Sequence, residues 1–557
     1  MKWVIKSKEK VKDVSKLEEI LLENRDVTDI PNFLNPPDPF TFLQDEKSIF
    51  GKFSKGLMET KELINNAIRD DSPIILHGDY DVDGISATAI LWDLIYNHLG
   101  YKNCLPFIPD RFEHGYGLTE KSVRAIRDTR GVRNVEEGKN PLLITLDCGI
   151  TAVDEINYAK KEGFTVAIVD HHELPKKLPK ADAILHTTDL CSGGISYMFS
   201  SFVKGKSDER NLDLAAFATI ADLQPLLGIN RSIVKYGLEF LTNSKREGIN
   251  ALKKVSGIEG KKIGTYEVGW MLAPRVNASG RIALGIESLR LLCTKNASQA
   301  LDIARKLNEI NTERQSATEE IFSLADEEVK NITGKNLIIS YGEGYHEGII
   351  GLVAQRLVQK YFKPAIVIAK KEGISKASVR SVPGLDITEF LRKMEGILES
   401  VGGHKMAAGF SIRSENIDKF IKKAEKLADK EISKDLLVPF IEVDLEVGFE
   451  ISLESILSEV TILEPFGLGN PSPVFAVRGA EVLETKLFGK ENNHLNISFL
   501  FMGKRYLAKL FGVKKEVLEK ATQGSKIDIA FTVSKNIFNG NEYVNLIAKD
   551  TNFVGNP

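Results

Sequence analysis

Three short apolar runs, PIIL at 73–76, PLLITL at 141–146 and FTVAIV at 164–169, each end in a polar cluster: HGDYDVDG, DCGI and DHHE. Runs of this length, rich in branched residues and separated by helical stretches, predict strands of a parallel sheet crossed by helices. In such a sheet the loops at the carboxyl ends of the strands converge on one crevice. The pattern therefore predicts an α/β fold in which the three clusters share a site.

Downstream, the stretch from Ala297 to Asn331 has no Gly or Pro and carries Ala, Leu and Ile at helical spacing, which predicts a long connector helix. A second α/β unit follows, with NLIIS at 336–340, a helical GLVAQRLVQKYF at 351–362 and AIVIA at 365–369. From Phe440 the segments FIEVDLEV, AEVLETKLF, HLNISFLF and IDIAFTV alternate in polarity between Gly or Asn turns. This predicts an all-β unit of the oligonucleotide-binding (OB) barrel type. The expected divisions are 1–45, an N-terminal extension; 46–235, the parallel-sheet domain; 236–335, a helical region ending in the connector; 336–430, the second α/β domain; and 431–557, the barrel.

Lys plus Arg number 74 and Asp plus Glu 77, a net charge of -3 that excludes a uniformly basic coat but not a local basic channel. The four cysteines, Cys104, Cys148, Cys191 and Cys293, form no CxxC pair, as expected of reduced thiols in the cytoplasm. No stretch approaches eighteen uninterrupted apolar residues and MKWVIKSKEKVKD has no signal-type apolar core, so neither a membrane span nor secretion is expected.

His77, Asp79, Asp81 and Asp83 recur at every second position after the first strand. Carboxylates crowded in this way repel one another unless a multivalent cation neutralises them. Asp147 follows the second strand, Asp170, His171 and His172 follow the third, and Asp222 lies in the apolar run FATIADLQPL. Imidazole with several carboxylates and no thiolate suits Mn²⁺ better than zinc, while Mg²⁺ suits the carboxylates but uses His less readily. There are ligands enough for two ions, and paired ions promote phosphoryl hydrolysis, so the reaction class is a phosphoester or phosphoanhydride hydrolase.

HGDYDVDGISA, LDCGI, VDHHE and ATIADLQPL together resemble the successive motifs of the DHH phosphoesterase superfamily, and within it those of the RecJ-type exonucleases. APRVNASGR, YHEGIIGLVAQRL, SVRS, GGHKMAAGF and PFGLGNPSPVF continue the resemblance in order. Tyr345 and Val379 depart from it, standing where Trp and Gly are usual. The resemblance implies that 46–235 is a DHH catalytic domain and 336–430 a DHH-associated substrate-binding domain. It implies that Asp81 and Asp83 ligate different ions bridged by Asp147, that His171 and Asp222 complete one sphere, and that His77 or Asp79 assists the other. His172 would face the scissile phosphate, Asp170 would orient its neighbours, and water would be the nucleophile.

Arg275, Asn277 and Arg281 are expected to contact phosphate, with Arg281 counted beside His172 and Asp170 in the catalytic set. Ser378, Arg380, His404, Gly402 and Gly403 are expected to hold the terminal nucleotide, the glycines by allowing close backbone approach. KRYLAKLF at 504–511 mixes cations with aromatics as a base-stacking groove requires, while Ile441 to Glu464 holds seven acidic residues and no Lys or Arg. The activity implied is removal of mononucleotides from the 5′ end of single-stranded DNA, in recombination and repair. The expected partners are single-strand-binding protein and a helicase, and a monomer is expected. Two alternatives are a DHH-type phosphodiesterase for short oligonucleotides or cyclic dinucleotides and a non-catalytic DNA-binding scaffold.

Overall fold

The computed structural model describes residues 1–11, 14–44, 49–111, 113–133, 139–282, 285–330, 334–448, 451–489, 491–513, 515–538 and 541–554. They form two compact units: Val4–Asn308 with Glu442–Pro557, and Met1–Trp3 with Glu309–Ile441.

The chain begins with β1 (Lys2–Val11) and α1 (Leu17–Glu23) before entering a five-stranded sheet. Its strands are β2 (Ile74–Gly78), β3 (Cys104–Phe107), β4 (Leu142–Leu146), β5 (Thr165–Asp170) and β6 (Ala183–His186), all parallel, in the order β3-β2-β4-β5-β6. β2 and β4 are buried along their whole length, which is why they read as unbroken apolar runs. β3 lies on the far side of β2 from β4, so the winding of the chain reverses between β2 and β4 and a crevice opens at their carboxyl ends. β3 carries Pro106 and was not marked as a strand in the sequence; as an edge strand it tolerates the missing N–H.

Helices α2 (Val82–Trp92), α3 (Ser192–Lys204) and α4 (Leu212–Ala221) are buried along most of their length and share the core with β2 and β4. Next come α5 (Gly228–Thr242), α6 (Ala273–Ile282) and α7 (Ala297–Lys330). The 34 residues of α7 form the expected connector, about 51 Å long at 1.5 Å per residue, and the chain passes from one unit to the other within it.

The second unit holds β7 (Ile338–Glu343), α8 (Ile350–Tyr361), β8 (Ala365–Lys370), β9 (Ile374–Arg380), β10 (Leu398–His404) and β11 (Ala407–Arg413), with sheet order β10-β11-β9-β8-β7. Tyr345 and Val379 are both buried there, so the two departures from the family pattern fall in core positions.

The barrel is built from β12 (Phe440–Val447), α9 (Leu453–Ile462), β13 (Val474–Phe488), β14 (His494–Phe501), β15 (Lys504–Leu510), β16 (Lys526–Phe538) and β17 (Asn541–Val554). β13, β14, β15, β17 and β16 pair in sequence and β16 returns to β13, closing a five-stranded ring. α9 sits between β12 and β13 and packs in the barrel's core.

Residues 1–45 are not an appended extension. β1 joins the edge of β12, and Val11, Leu17, Ile20, Leu21, Leu22 and Phe33 pack in one core with Phe475, Phe499 and Phe531. The apolar face of α1 needs such a cover, and most of it comes from residues more than 400 positions away. Arg25 seals the junction, bonding Asp444 Oδ1 at 3.1 Å and Asn470 Oδ1 at 3.0 Å.

Arg231 of α5 is fully buried with no carboxylate partner among its bonds. Its guanidinium donates to the carbonyls of Phe33 (2.5 Å), Leu463 (3.0 Å), Glu464 (3.0 Å) and Pro465 (3.3 Å) and stacks over the Phe33 ring at 3.9 Å. One side chain thus ties the sheet domain, the N-terminal segment and the barrel together; burial holds its pKa down to about 10. Arg231→Met would strand buried carbonyls, each costing roughly 1–3 kcal/mol when left unpaired. A clear fall in the urea midpoint of the full chain is expected; a wild-type midpoint would show that the carbonyls find other partners.

Candidate metal centre

Gly78, Leu146 and Val169 stand side by side at the ends of β2, β4 and β5, and the residue after each is an aspartate. The row continues by backbone bonds beyond them: Asp79 N–H donates to Leu146 O at 3.1 Å and Asp147 N–H to Val169 O at 3.0 Å. Asp79, Asp147 and Asp170 are therefore delivered to the crevice by sheet register. Asp147 has φ +63°, a left-handed conformation that is strained for a non-glycine residue.

Asp81 caps α2, its Oδ1 accepting from the N–H groups of Asp83 (2.9 Å) and Gly84 (3.0 Å). Gly84 is required here, because a Cβ would lie 2.6 Å from Asp79 N and O. Asp83 points to the start of α3, where Ser192 N–H meets Oδ2 at 2.8 Å and Gly193 N–H meets Oδ1 at 2.7 Å. The Ser192 hydroxyl donates to Asp147 Oδ1 at 3.1 Å. His171 Nε2 stands 3.3 Å from Asp147 Oδ1, 3.6 Å from Asp83 Oδ2 and 3.8 Å from Asp222 Oδ2.

Three sets of ligand atoms lie within 4.8 Å of one another: Asp79, Asp81 and Asp147; Asp83, His171 and Asp222; and Asp147, His171 and His172. Asp147 is common to two of them. Asp79 Oδ1 is buried without a hydrogen-bond partner, which a cation would relieve. The donors are carboxylate oxygens and imidazole nitrogens; the nearby thiols of Cys148 and Cys191 face His77, Thr219 and Gly194. The residues fit hard or borderline divalent cations.

Burial, then the neighbouring Asp81, pushes Asp79 up to about 8, and burial with the Asp83 charge pushes Asp222 up to about 6. Asp81 and Asp147 are also raised, by burial first and then by Asp83. Asp170 moves the other way: although burial opposes it, the bond to His172 and the N–H of Ile150 hold it below the usual range. His172 Nδ1 lies 2.7 Å from Asp170 Oδ1, and that bond raises the imidazole to about 8.

His77 does not join these sets. Its Nε2 lies 3.2 Å from Ser122 Oγ, its Nδ1 3.7 Å from Cys148 Sγ, and its ring stacks on Phe107. Burial lowers its pKa to about 4. Of the pair His77 or Asp79, the cluster contains Asp79.

The other expected contacts are distributed differently. Arg275 Nε donates to Asn308 Oδ1 at 3.0 Å and its Nη1 to Met271 O, so its guanidinium is engaged within its own helical layer. Asn277 Oδ1 accepts from Val82 N–H at 2.9 Å, at the start of α2. Arg281 belongs to α6, but its side chain lies outside the described residues.

In the second unit, strand register sets Ser378 beside Gly409 and Gly402, and Arg380 beside Ala407 and His404, all on one face of the sheet. Arg380 Nη1 bonds Ser378 Oγ at 3.2 Å, and His404 is exposed. A Cβ on Gly402 would meet nothing, leaving bare backbone, whereas Gly403, at φ +143°, would put one 2.5 Å from Ala407 O. Gly403 is thus demanded by its own hairpin and not by a ligand.

Arg505, Tyr506 and Leu507 of KRYLAKLF line a surface pocket with Glu484, Lys486, Asn496 and Ser498, and its Lys504 and Arg505 are paired with carboxylates. Tyr506 is buried and donates to Glu454 at 2.8 Å, Lys504 pairs with Glu454 at 3.4 Å, and Arg505 pairs with Glu484 at 2.5 Å. Phe511 is outward, in a ring cluster with Phe488 and His494.

Three further residues contribute to the site. Ser192 and Gly193 hold Asp83 and Asp147; the signal was the small-residue run CSGG opening a buried helix, where a Cβ on Gly193 would lie 2.5 Å from Ala218 Cβ. Arg111, shortly after β3, sits 5.7 Å over the Tyr80 ring and within electrostatic reach of Asp79. Finding it required recognising β3.

A cluster of this composition at the switch point of a five-stranded parallel sheet defines a protein of the DHH class. Residues 73–222 match the family model described as DHH family, N-terminal domain, 334–430 the DHHA1 domain, and 443–550 the RecJ OB domain. The chain is 33% identical over 512 residues to the single-stranded-DNA-specific exonuclease RecJ of Bacillus subtilis, covering 89% of this chain and 63% of that protein. It is 32% identical over 501 residues to the RecJ of Thermus thermophilus, covering 87% of this chain and 69% of that protein. The crystal structure of Thermus thermophilus RecJ in complex with Mn²⁺ superposes with a TM-score of 0.81 at 27% identity, over 99% of this chain and 79% of that one. The chain belongs to the RecJ family. It spans under two thirds of the length of the Bacillus relative, and among the described residues no helix is long and apolar enough to cross a membrane.

Because the carboxyls of Asp79, Asp81, Asp147 and Asp222 lie above their ordinary value, the metal-free site is tolerated at low pH. It destabilises the fold as pH rises through about 6 for Asp222 and about 8 for Asp79. Divalent ions displace those protons. Calorimetric Mn²⁺ titration at pH 7 in buffers of different ionisation enthalpy is expected to report proton release, and Mn²⁺ should raise the melting temperature more at pH 8 than at pH 5. Buffer-independent enthalpies would contradict this account.

Proposed function

We propose that this chain is a metal-dependent exonuclease that degrades single-stranded DNA from its 5′ end to mononucleotides, in recombination and repair. The observation that carries the reading is the crowding of Asp79, Asp81, Asp83, Asp147, His171 and Asp222 within metal-ligand distances, in a chain similar over most of its length to single-stranded-DNA-specific exonucleases. Asp79 and Asp81 would hold one ion, His171, Asp83 and Asp222 a second, and Asp147 would serve both. Mn²⁺ or Mg²⁺ bound there supplies the Lewis acidity that phosphodiester hydrolysis requires.

The protein's own groups do the rest. Asp170 occupies Nδ1 of His172 and keeps the ring cationic to about pH 8, which leaves Nε2–H as the donor toward the scissile phosphate and its leaving oxygen. Asp170 is itself fixed by N–H groups of Ile150, His171 and His172, so the imidazole has little freedom to turn. Ser378, Arg380 and His404 around the bare strip at Gly402 and Gly409 would receive the terminal phosphate, a planar guanidinium being suited to it. Arg281 would contact a phosphate further along. We extend the reading to a cytoplasmic monomer working with single-strand-binding protein and a helicase.

Digestion of end-labelled 40-nucleotide single strands and blunt duplexes with Mn²⁺ tests the assignment. Loss of mononucleotides from the 5′ end of single strands alone is expected, with Asp147→Ala inactive; full activity of that variant would refute the shared-ligand role. His404→Ala should turn over poorly with Mn²⁺ affinity retained. The rate should fall as pH rises through about 8, and Asp170→Asn should move that limb to lower pH; an unmoved limb would remove His172 from the acid role.

A further inference from the structure

The accounting of backbone donors at the start of α2 assigns Asn277 a task different from the phosphate contact expected of it. α2 begins at Val82, so the N–H groups of Val82, Asp83 and Gly84 have no carbonyl partner inside the helix. Ile85 is the first to find one, Asp81 O at 2.9 Å. Asp81 Oδ1 satisfies Asp83 and Gly84. The last orphan, Val82 N–H, is taken at 2.9 Å by Oδ1 of Asn277, 195 residues further along the chain. An amide left unpaired at this point would be costly, and among the described residues Asn277 is its acceptor.

The same helix presses on the turn from behind. A Cβ on Gly280 would lie 2.5 Å from Tyr80 Cδ2 and 2.8 Å from Tyr80 O; one on Gly285, just beyond α6, would lie 3.0 Å from Tyr80 Cβ. The five residues from Asp79 to Asp83 carry three of the clustered carboxylates, and α6 with its following glycine is packed directly against them. A neutral amide suits position 277, because a carboxylate in its place would add one more negative charge beside Asp79, Asp81 and Asp83.

We propose that Asn277 is a positioning residue for the metal-binding turn 79–83, with Gly280 as its packing counterpart, and that its side chain does not contact the DNA. The proposal rests on the metal-ligand reading given above. Its consequence is that part of the APRVNASGR run acts on metal affinity instead of substrate affinity.

The test is Mn²⁺ titration calorimetry on the full-length wild-type protein, Asn277→Ala and Gly280→Ala, combined with kcat and KM for a single-stranded 20-mer over a range of Mn²⁺ concentrations. Asn277→Ala is expected to weaken Mn²⁺ binding roughly ten-fold or more, as loss of a ligand-orienting group does. It should recover most of kcat at saturating Mn²⁺ and keep KM for the strand at the wild-type value. Gly280→Ala alters no polar group but displaces the turn, and should weaken Mn²⁺ binding in the same sense, giving a second reading should Asn277→Ala fold poorly. Wild-type Mn²⁺ affinity in Asn277→Ala with a raised KM would make Asn277 a strand contact and overturn the proposal; so would wild-type values of both. A wild-type protein that takes up no Mn²⁺ would instead bring down the metal-centre reading on which the proposal stands.

Discussion

Mutual repulsion among buried carboxylates is the constraint to which the catalytic unit is built. Asp79, Asp81, Asp83, Asp147 and Asp222 would separate if their backbones allowed it, and four devices prevent it. Sheet register fixes Asp79 and Asp147, helix capping fixes Asp81, the start of α3 grips both oxygens of Asp83, and the end of α4 presents Asp222. These devices come from segments spread over some 140 residues, so the cluster exists only when the whole sheet and its helices are assembled. Divalent ions then convert a destabilising feature into a stabilising one, which couples folding and metal uptake.

The supports behind this cluster are polar at two places and steric at several. The start of α3, through Ser192 and the Gly193 N–H, and Asn277 supply hydrogen bonds, while Gly84, Gly193 and Gly280 supply the absence of a side chain. Absence matters because the ligand-bearing turn is thin: any added atom on its neighbours moves a carboxylate by a distance comparable with the tolerance of metal coordination.

The strands and their polar ends were legible in the sequence because fully buried parallel strands leave unbroken apolar runs, and because charged residues have few reasons to stand at such ends. The long helix was legible for lack of breakers. What escaped was decided by contacts across large separations. Nothing local distinguishes Asn277 as a partner of Val82, or Tyr506 as a buried residue among solvated lysines. His77 shares the alternation of the aspartates yet turns to Ser122 and Cys148, since a strand residue at that position belongs to the layer beneath the crevice. β3 was hidden by its proline, and Arg111 with it. The N-terminal segment looked like an appendage because its partners, Asp444 and Asn470, lie more than 400 residues downstream.

That last pairing reaches into how the polypeptide is made. During synthesis β1 and α1 emerge well before β12 to β17, which bury their apolar faces. Until those strands are made Leu17, Ile20 and Leu21 lack most of their native cover, although the parallel sheet already has all its strands. Vectorial folding of this chain is therefore interrupted: α1 must wait for strands more than 400 residues downstream, and the nascent protein carries an incompletely covered apolar helix and an unpaired strand past the ribosome exit until the barrel closes.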